Sequence, residues 1–213
     1  RASRAACALL VLAAFAARAE TPWRWQLPPG LPAPRAPADN PMSARKVELG
    51  RRLFYDTRLS VNGAASCASC HRQARAFTDG RPRAVGATGE LHPRSAMSLA
   101  NVAYNAHFGW EDPETASLEA QAAIPMLNTA PIELGVAGNE VRILEELRRD
   151  RFYAREMPRA FPEAARGFDA PRGAILRLSQ AELGEQRREA LAVLGAIDGV
   201  GRGSENPSIG LFQ

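Results

Sequence analysis

The chain has 213 residues, of which 46% are hydrophobic and 23% charged, with a formal net charge of +4. That length suits one domain with an appendage. No basic tract interleaved with aromatic residues occurs, so nucleic acid is not an expected partner, and beyond residue 19 no apolar stretch is long enough to span a bilayer.

Residues 1–19 read as a secretory signal peptide. Arg1 and Arg4 give a positive start, Ala5 to Ala17 form a short apolar run, and Ala17-Arg18-Ala19 is a cleavage signal, so the mature chain is expected to begin at Glu20. Cys7 leaves with this leader. Arg1, Arg4 and Arg18 leave too, which reduces the 27 basic residues to 24 against 23 acidic ones, about +1. The expected compartment is the periplasm, and no membrane attachment remains after cleavage.

Residues 20–41 hold seven prolines together with Trp23 and Trp25. This composition favours an extended, polyproline-like strap on the domain surface. Ser43 is placed to cap a helix whose apolar stripe is Val47, Leu49, Leu53 and Phe54, ending near Asp56. Residues 57–66 are turn-rich. Residues 72–98 carry Gly and Pro with little periodicity and read as a long loop, a length that usually has a function. Thr115 to Ile124 reads as a short helix stopped by Pro125. Asn139 is expected to cap a further helix with Val141, Ile143, Leu144 and Leu147 inward and Glu145, Glu146, Arg148 and Arg149 outward. Ser179-Gln180-Ala181-Glu182 has capping-box spacing and opens a helix to about Ile197. Strand signals are nearly absent. The fold class expected is mostly α with long loops.

The chemistry is concentrated in Cys67-Ala68-Ser69-Cys70-His71. CxxCH is the attachment signature for c-type haem. Two thiols at this spacing reach both vinyl groups of one porphyrin and become thioethers, and the adjacent His71 then sits under the iron. A structural zinc needs about four ligands. Outside the leader there is no further Cys, and only His92 and His107 remain. One covalent haem c, held by Cys67, Cys70 and His71 with His71 as metal ligand, is the expected cofactor. Export fits, because this haem is attached outside the bacterial cytoplasm.

Seven segments then align with one family. They are Leu49-Gly50-Arg51-Arg52-Leu53-Phe54-Tyr55-Asp56, Arg58-Leu59-Ser60, Ser66-Cys67-Ala68-Ser69-Cys70-His71, Ala76-Phe77-Thr78-Asp79-Gly80, His92-Pro93-Arg94, Leu118-Glu119-Ala120-Gln121 and Pro131-Ile132-Glu133-Leu134-Gly135. Together they resemble the N-terminal haem domain of bacterial di-haem cytochrome c peroxidases and their MauG-type relatives. The Trp/Pro-rich lead, Asp39-Asn40-Pro41-Met42-Ser43 and Ala100-Asn101-Val102-Ala103-Tyr104-Asn105 are most similar to the MbnH-like branch, which oxidises a tryptophan on a partner protein. The resemblance implies a cytochrome c-like haem domain over 42–165, preceded by the 20–41 lead and followed by a divergent helical tail over 166–213. It also implies hydrogen peroxide as substrate.

The family's distal Gln and Glu map onto Gln121 and Glu133, with about two extra residues between them here. A carboxylate within reach of a peroxide can take the proton from its inner oxygen and return it to the outer one. An amide can hold the peroxide in place. Trp110 maps onto the family's indole between two haems, a relay for electron holes, and core packing is its other reading. The distal His of some members maps nearest Ala87, so that ligand looks absent and His92 reads as structural. The Asn ligand of the family's calcium site maps near Ser95, which puts calcium in doubt.

The resemblance implies a haem oxidoreductase that reacts with hydrogen peroxide and oxidises a protein tryptophan or an electron-donor protein, a cytochrome or copper protein. The family has two haem motifs and this chain has one, so a missing second haem domain is expected to leave the enzyme incomplete. The competing reading is a mono-haem electron carrier with Met97 or Met126 as sixth iron ligand.

Overall fold

The computed structural model describes residues 23–38, 40–110, 115 and 117–162. The expected signal peptide, the helix opening at Ser179 and the 166–213 tail lie outside the described residues. Five α-helices run through the described part: α1 (Ala44–Tyr55), α2 (Cys67–Cys70), α3 (Leu118–Leu127), α4 (Glu140–Arg149) and α5 (Arg151–Ala160). Among the described residues the extended pairing amounts to two isolated bridges, Arg72 with Thr78 and Val85 with Leu91. No helix of the described residues is long and apolar enough to cross a membrane.

Ser43 starts α1 as its composition requires: its hydroxyl accepts from the Lys46 amide at 3.3 Å. The helix then divides its apolar face between two cores. Leu49 and Leu53 enter a larger cluster with Leu59, Met126, Val136, Ile143, Leu144, Leu147, Tyr153 and Met157. Phe54 enters a smaller one with Phe77, Leu99, Val102, Leu118 and Ala122. Cys67 packs against both clusters, so the haem motif lies at their seam. Each fully buried Leu or Phe contributes about 1.5–3 kcal/mol.

Three expectations are corrected. The first helix after the long loop begins at Leu118, because Ser117 caps it by accepting from the Ala120 amide at 3.0 Å. It also continues through Pro125 to Leu127. Proline lacks the N–H that would bond the Gln121 carbonyl, which removes one bond of the ladder. The last turn is held from outside instead, by Leu134 N–H on the Pro125 carbonyl and Val136 N–H on the Met126 carbonyl, both at 2.9 Å. The second correction is Val141, which is 57% exposed, while Ile143, Leu144 and Leu147 are buried. Third, the Asn139 side chain does not cap α4; its amide donates to the carbonyls of Gly135 and Ala137.

Helix α5 has no counterpart in the sequence reading, because Pro158 interrupts its pattern. Asp150 ends α4 and starts α5, accepting from the Phe152 amide at 2.8 Å. α5 packs on α1 and α4. A charge network pins that junction. Arg58 binds Asp56 at 2.6 Å and Asp150 at 3.2 Å, and the Tyr153 hydroxyl donates to Asp56 at 2.7 Å. Burial alone would raise the Asp56 carboxyl, but the bonds from Arg58 and Tyr153 outweigh it and hold the group below its ordinary value.

Residues 23–38 are without regular structure. Trp23 and Trp25 stack edge to face at 5.8 Å, and the Tyr104 hydroxyl ties the segment to the domain through the Pro32 carbonyl at 2.9 Å.

Candidate active site

The haem motif forms a single helical turn. Ser66 and Ser69 close a reciprocal capping box over α2, and the His71 amide returns to the Cys67 carbonyl at 2.9 Å. This turn sets both thiols on one short helix, and both are half-buried and outside any disulfide. Beyond it, Ala76 and Phe77 adopt left-handed backbone conformations, with φ of 52° and 59°. Non-glycine residues rarely do so. The result is that the Phe77 carbonyl lies 2.9 Å from His71 Nδ1. Nδ1 therefore carries the proton and donates, which leaves the Nε2 lone pair for a metal. Burial pushes the imidazole's pKa down, against the carbonyls of Phe77 and Met97, which favours the neutral, ligating form.

The segment that follows α3 carries Glu133. It docks on the last turn of α3 through Leu134 and Val136, and the Pro125 carbonyl that Leu134 bonds is one helical turn beyond Gln121. Gln121 Oε1 is buried and has no hydrogen-bond partner among the protein atoms, so it can receive a donor from a bound molecule. The neighbouring Leu118 and Ala122 pack in the cluster against which Cys67 and Ala68 lie, so α3 flanks the haem motif. Burial pushes the Glu133 carboxyl up from its ordinary value, and His92 across from it pulls it partly back. Its side chain remains 36% exposed. Its charge reaches the haem motif: burial first, then Asp79 and Glu133, raise the Cys70 thiol, the sulfur that would carry a thioether.

The long loop makes the wall between these parts. Cys70 Sγ lies 3.9 Å from the Val85 carbonyl. Two residues on, the Ala87 amide donates to the Glu133 carbonyl at 2.6 Å. Ala87, expected to align nearest the distal His of some family members, holds Glu133 here through its backbone. His92 is 8% exposed, with Nδ1 3.7 Å from Glu133 Oε1 and Nε2 3.4 Å from the Ile132 carbonyl. From sequence His92 reads as structural. Forty residues separate it from Glu133, and no periodic pattern joins such a pair.

Trp110 is 55% exposed, which sets aside core packing. Its indole N–H donates to the Ser95 carbonyl at 3.1 Å, and the Arg94 guanidinium lies 5.8 Å from the ring centroid. Met126 is 1% exposed and enclosed by the larger apolar cluster, so its thioether presents no surface to a porphyrin. The carbonyl of Met97 acts on the His71 ring itself, so Met97 lies beside the imidazole rather than across from it. His107 is exposed.

A mostly helical chain with a CxxCH turn, a tautomer-fixed imidazole and a partnerless buried amide defines a c-type haem domain. Residues 44–186 match the family described as di-haem cytochrome c peroxidase, and the chain belongs to that family. Cytochrome-c peroxidase IdrP1 of Denitromonas iodatirespirans is 44% identical over 118 residues, 55% of this chain and 30% of that protein. Methylamine utilization protein MauG of Methylorubrum extorquens is 38% identical over 151 residues, 71% of this chain and 39% of that protein. The crystal structure of a MauG-like protein associated with microbial copper homeostasis superposes with a TM-score of 0.71 at 40% identity, over 82% of this chain and 51% of that one. The chain thus spans about a third of the length of these curated relatives.

Proposed function

We propose that this chain is the peroxide-reactive haem domain of a periplasmic oxidoreductase. The observation that carries the reading is the partnerless amide oxygen of Gln121 on α3, the helix that flanks the haem motif, together with Glu133, a half-buried carboxyl that burial pushes up in pKa, on the segment docked to that helix. Haem c bound here would supply an iron at which hydrogen peroxide is activated.

The protein's residues have distinct tasks. Cys67 and Cys70 would hold the group through thioether bonds, and His71 would bind it through Nε2, the ring being aimed by the Phe77 carbonyl. Glu133 takes the proton from the inner peroxide oxygen and returns it to the outer one. Its raised pKa suits both halves of that transfer. Gln121 Oε1 accepts from the peroxide and orients it without competing as a base. Trp110, exposed beside Arg94, offers an indole through which electrons pass from outside. The electron source is a tryptophan on a partner protein, or a small cytochrome or copper protein.

Glu133→Gln tests the proton role. The glutamine keeps the shape and removes the base, so the bimolecular rate with peroxide should fall by about 10²–10⁴ in stopped flow. An unchanged rate would end this assignment.

A further inference from the structure

We propose that His92 is the positioning residue of the Glu133 carboxylate, an inference that rests on the peroxide reading of Glu133 given above. Four contacts from one loop converge on Ile132 and Glu133. The Ala87 amide donates to the Glu133 carbonyl at 2.6 Å, and Glu90 Oε2 accepts from the Ile132 amide at 2.9 Å. His92 Nε2 lies 3.4 Å from the Ile132 carbonyl, and His92 Nδ1 lies 3.7 Å from Glu133 Oε1. The fit is close: a Cβ built at Gly86 would fall 1.9 Å from the Ile132 carbonyl oxygen. The loop is itself fixed. Asn62 donates to the Ala87 carbonyl at 2.8 Å, and Arg83 donates to the His92 carbonyl at 2.5 Å.

The chemistry follows from the two ring nitrogens. Nε2–H donates to the Ile132 carbonyl, so Nδ1 faces Glu133 either as a lone pair or as a second N–H. At 3.7 Å the ring nitrogen and the carboxyl oxygen are in ion-pair rather than hydrogen-bond range, so the His92 ring orients Glu133 by packing against it and favours its ionised form. The other charged groups around the pair are Glu90, already bonded to Ile132, and Arg83, bonded to the carbonyls of Leu91 and His92. On the haem-motif side the neighbour is Cys70, whose sulfur is uncharged once bound in a thioether. His92 is therefore the ring that faces the carboxylate, and replacing it should let Glu133 hold its proton to higher pH.

The test is an infrared titration of the haem-loaded full chain, with the carboxyl band of Glu133 assigned by its loss in Glu133→Gln. In His92→Phe the midpoint of that band should move up by about one pH unit or more. The peroxide rate should fall roughly tenfold, with its pH profile displaced in the same direction. If His92→Phe does not fold, His92→Gln carries the test, because its amide can still donate to the Ile132 carbonyl yet holds no titrating proton. A band midpoint and rate profile unchanged from wild type would overturn the role of His92 while Glu133→Gln still slows the reaction. A full rate in Glu133→Gln would instead remove the reading on which the inference rests.

Discussion

The two sides of this domain are built differently. On one side α1, α4 and α5 enclose an apolar cluster whose polar border is satisfied: Asp56, Arg58, Tyr153 and Asp150 bond one another. On the other side lie the haem motif, the long loop and the segment carrying Glu133. Ala76 and Phe77 fall in the long loop and Asn101 just beyond it, the positive-φ residues other than glycine among those described. The partnerless oxygens of Asn101 and of Gln121, on the helix that flanks the haem motif, lie toward the same side. Strain and unmet hydrogen bonds persist where surrounding structure over-determines them, and they concentrate where a ligand is handled. On the proposed function the helical side is scaffold and the loop side is where peroxide is handled.

That division predicts opposite responses to substitution. Ile143→Ala, in the core of the helical side, should cost about 2–5 kcal/mol in chemical denaturation. The peroxide rate per folded molecule should stay at the wild-type value. A change in that rate larger than the change in folded fraction would break the division.

Tyr153→Phe should cost about 2 kcal/mol, one hydrogen bond to a charged group. It should also flatten the acid limb of the stability curve. Asp56 titrates lower in the folded chain than in the unfolded one, so its contribution is complete above about pH 4 and is lost as pH falls through the folded value. Denaturation midpoints measured from pH 7 downward should converge for wild type and variant. A constant gap down to the most acid condition would show that the network is not what acid dissolves.

Gly86→Ala sharpens the other half. The added methyl meets the Ile132 carbonyl, so the loop must move from Glu133, at a cost of about 1–3 kcal/mol. The peroxide rate should suffer more than the melting temperature does. Equal effects on both would mean that the loop braces the fold without aiming the carboxylate.

Much of the scaffold was legible in sequence because its signals are local. Ser43 caps α1, and the spacing of Ile143, Leu144 and Leu147 marks the buried face of α4. The CxxCH motif gave the thiols and the imidazole for the same reason. What was not legible depended on distant partners. Pro125 looked like a stop because the carbonyls beyond it are satisfied by Leu134 and Val136, which no helix rule foresees. Pro158 hid α5 in the same way. His92 read as structural because its relation to Glu133 exists only once the 84–94 loop has folded onto Ile132.

The most direct test of the account is the optical and EPR spectrum of the periplasmically matured full chain, before and after one equivalent of hydrogen peroxide. A peroxide-reactive haem should give a high-spin ferric signal, lost on adding peroxide in wild type and far more slowly in Glu133→Gln. A low-spin signal of His/Met type that ignores peroxide would contradict it, and would make this domain an electron carrier.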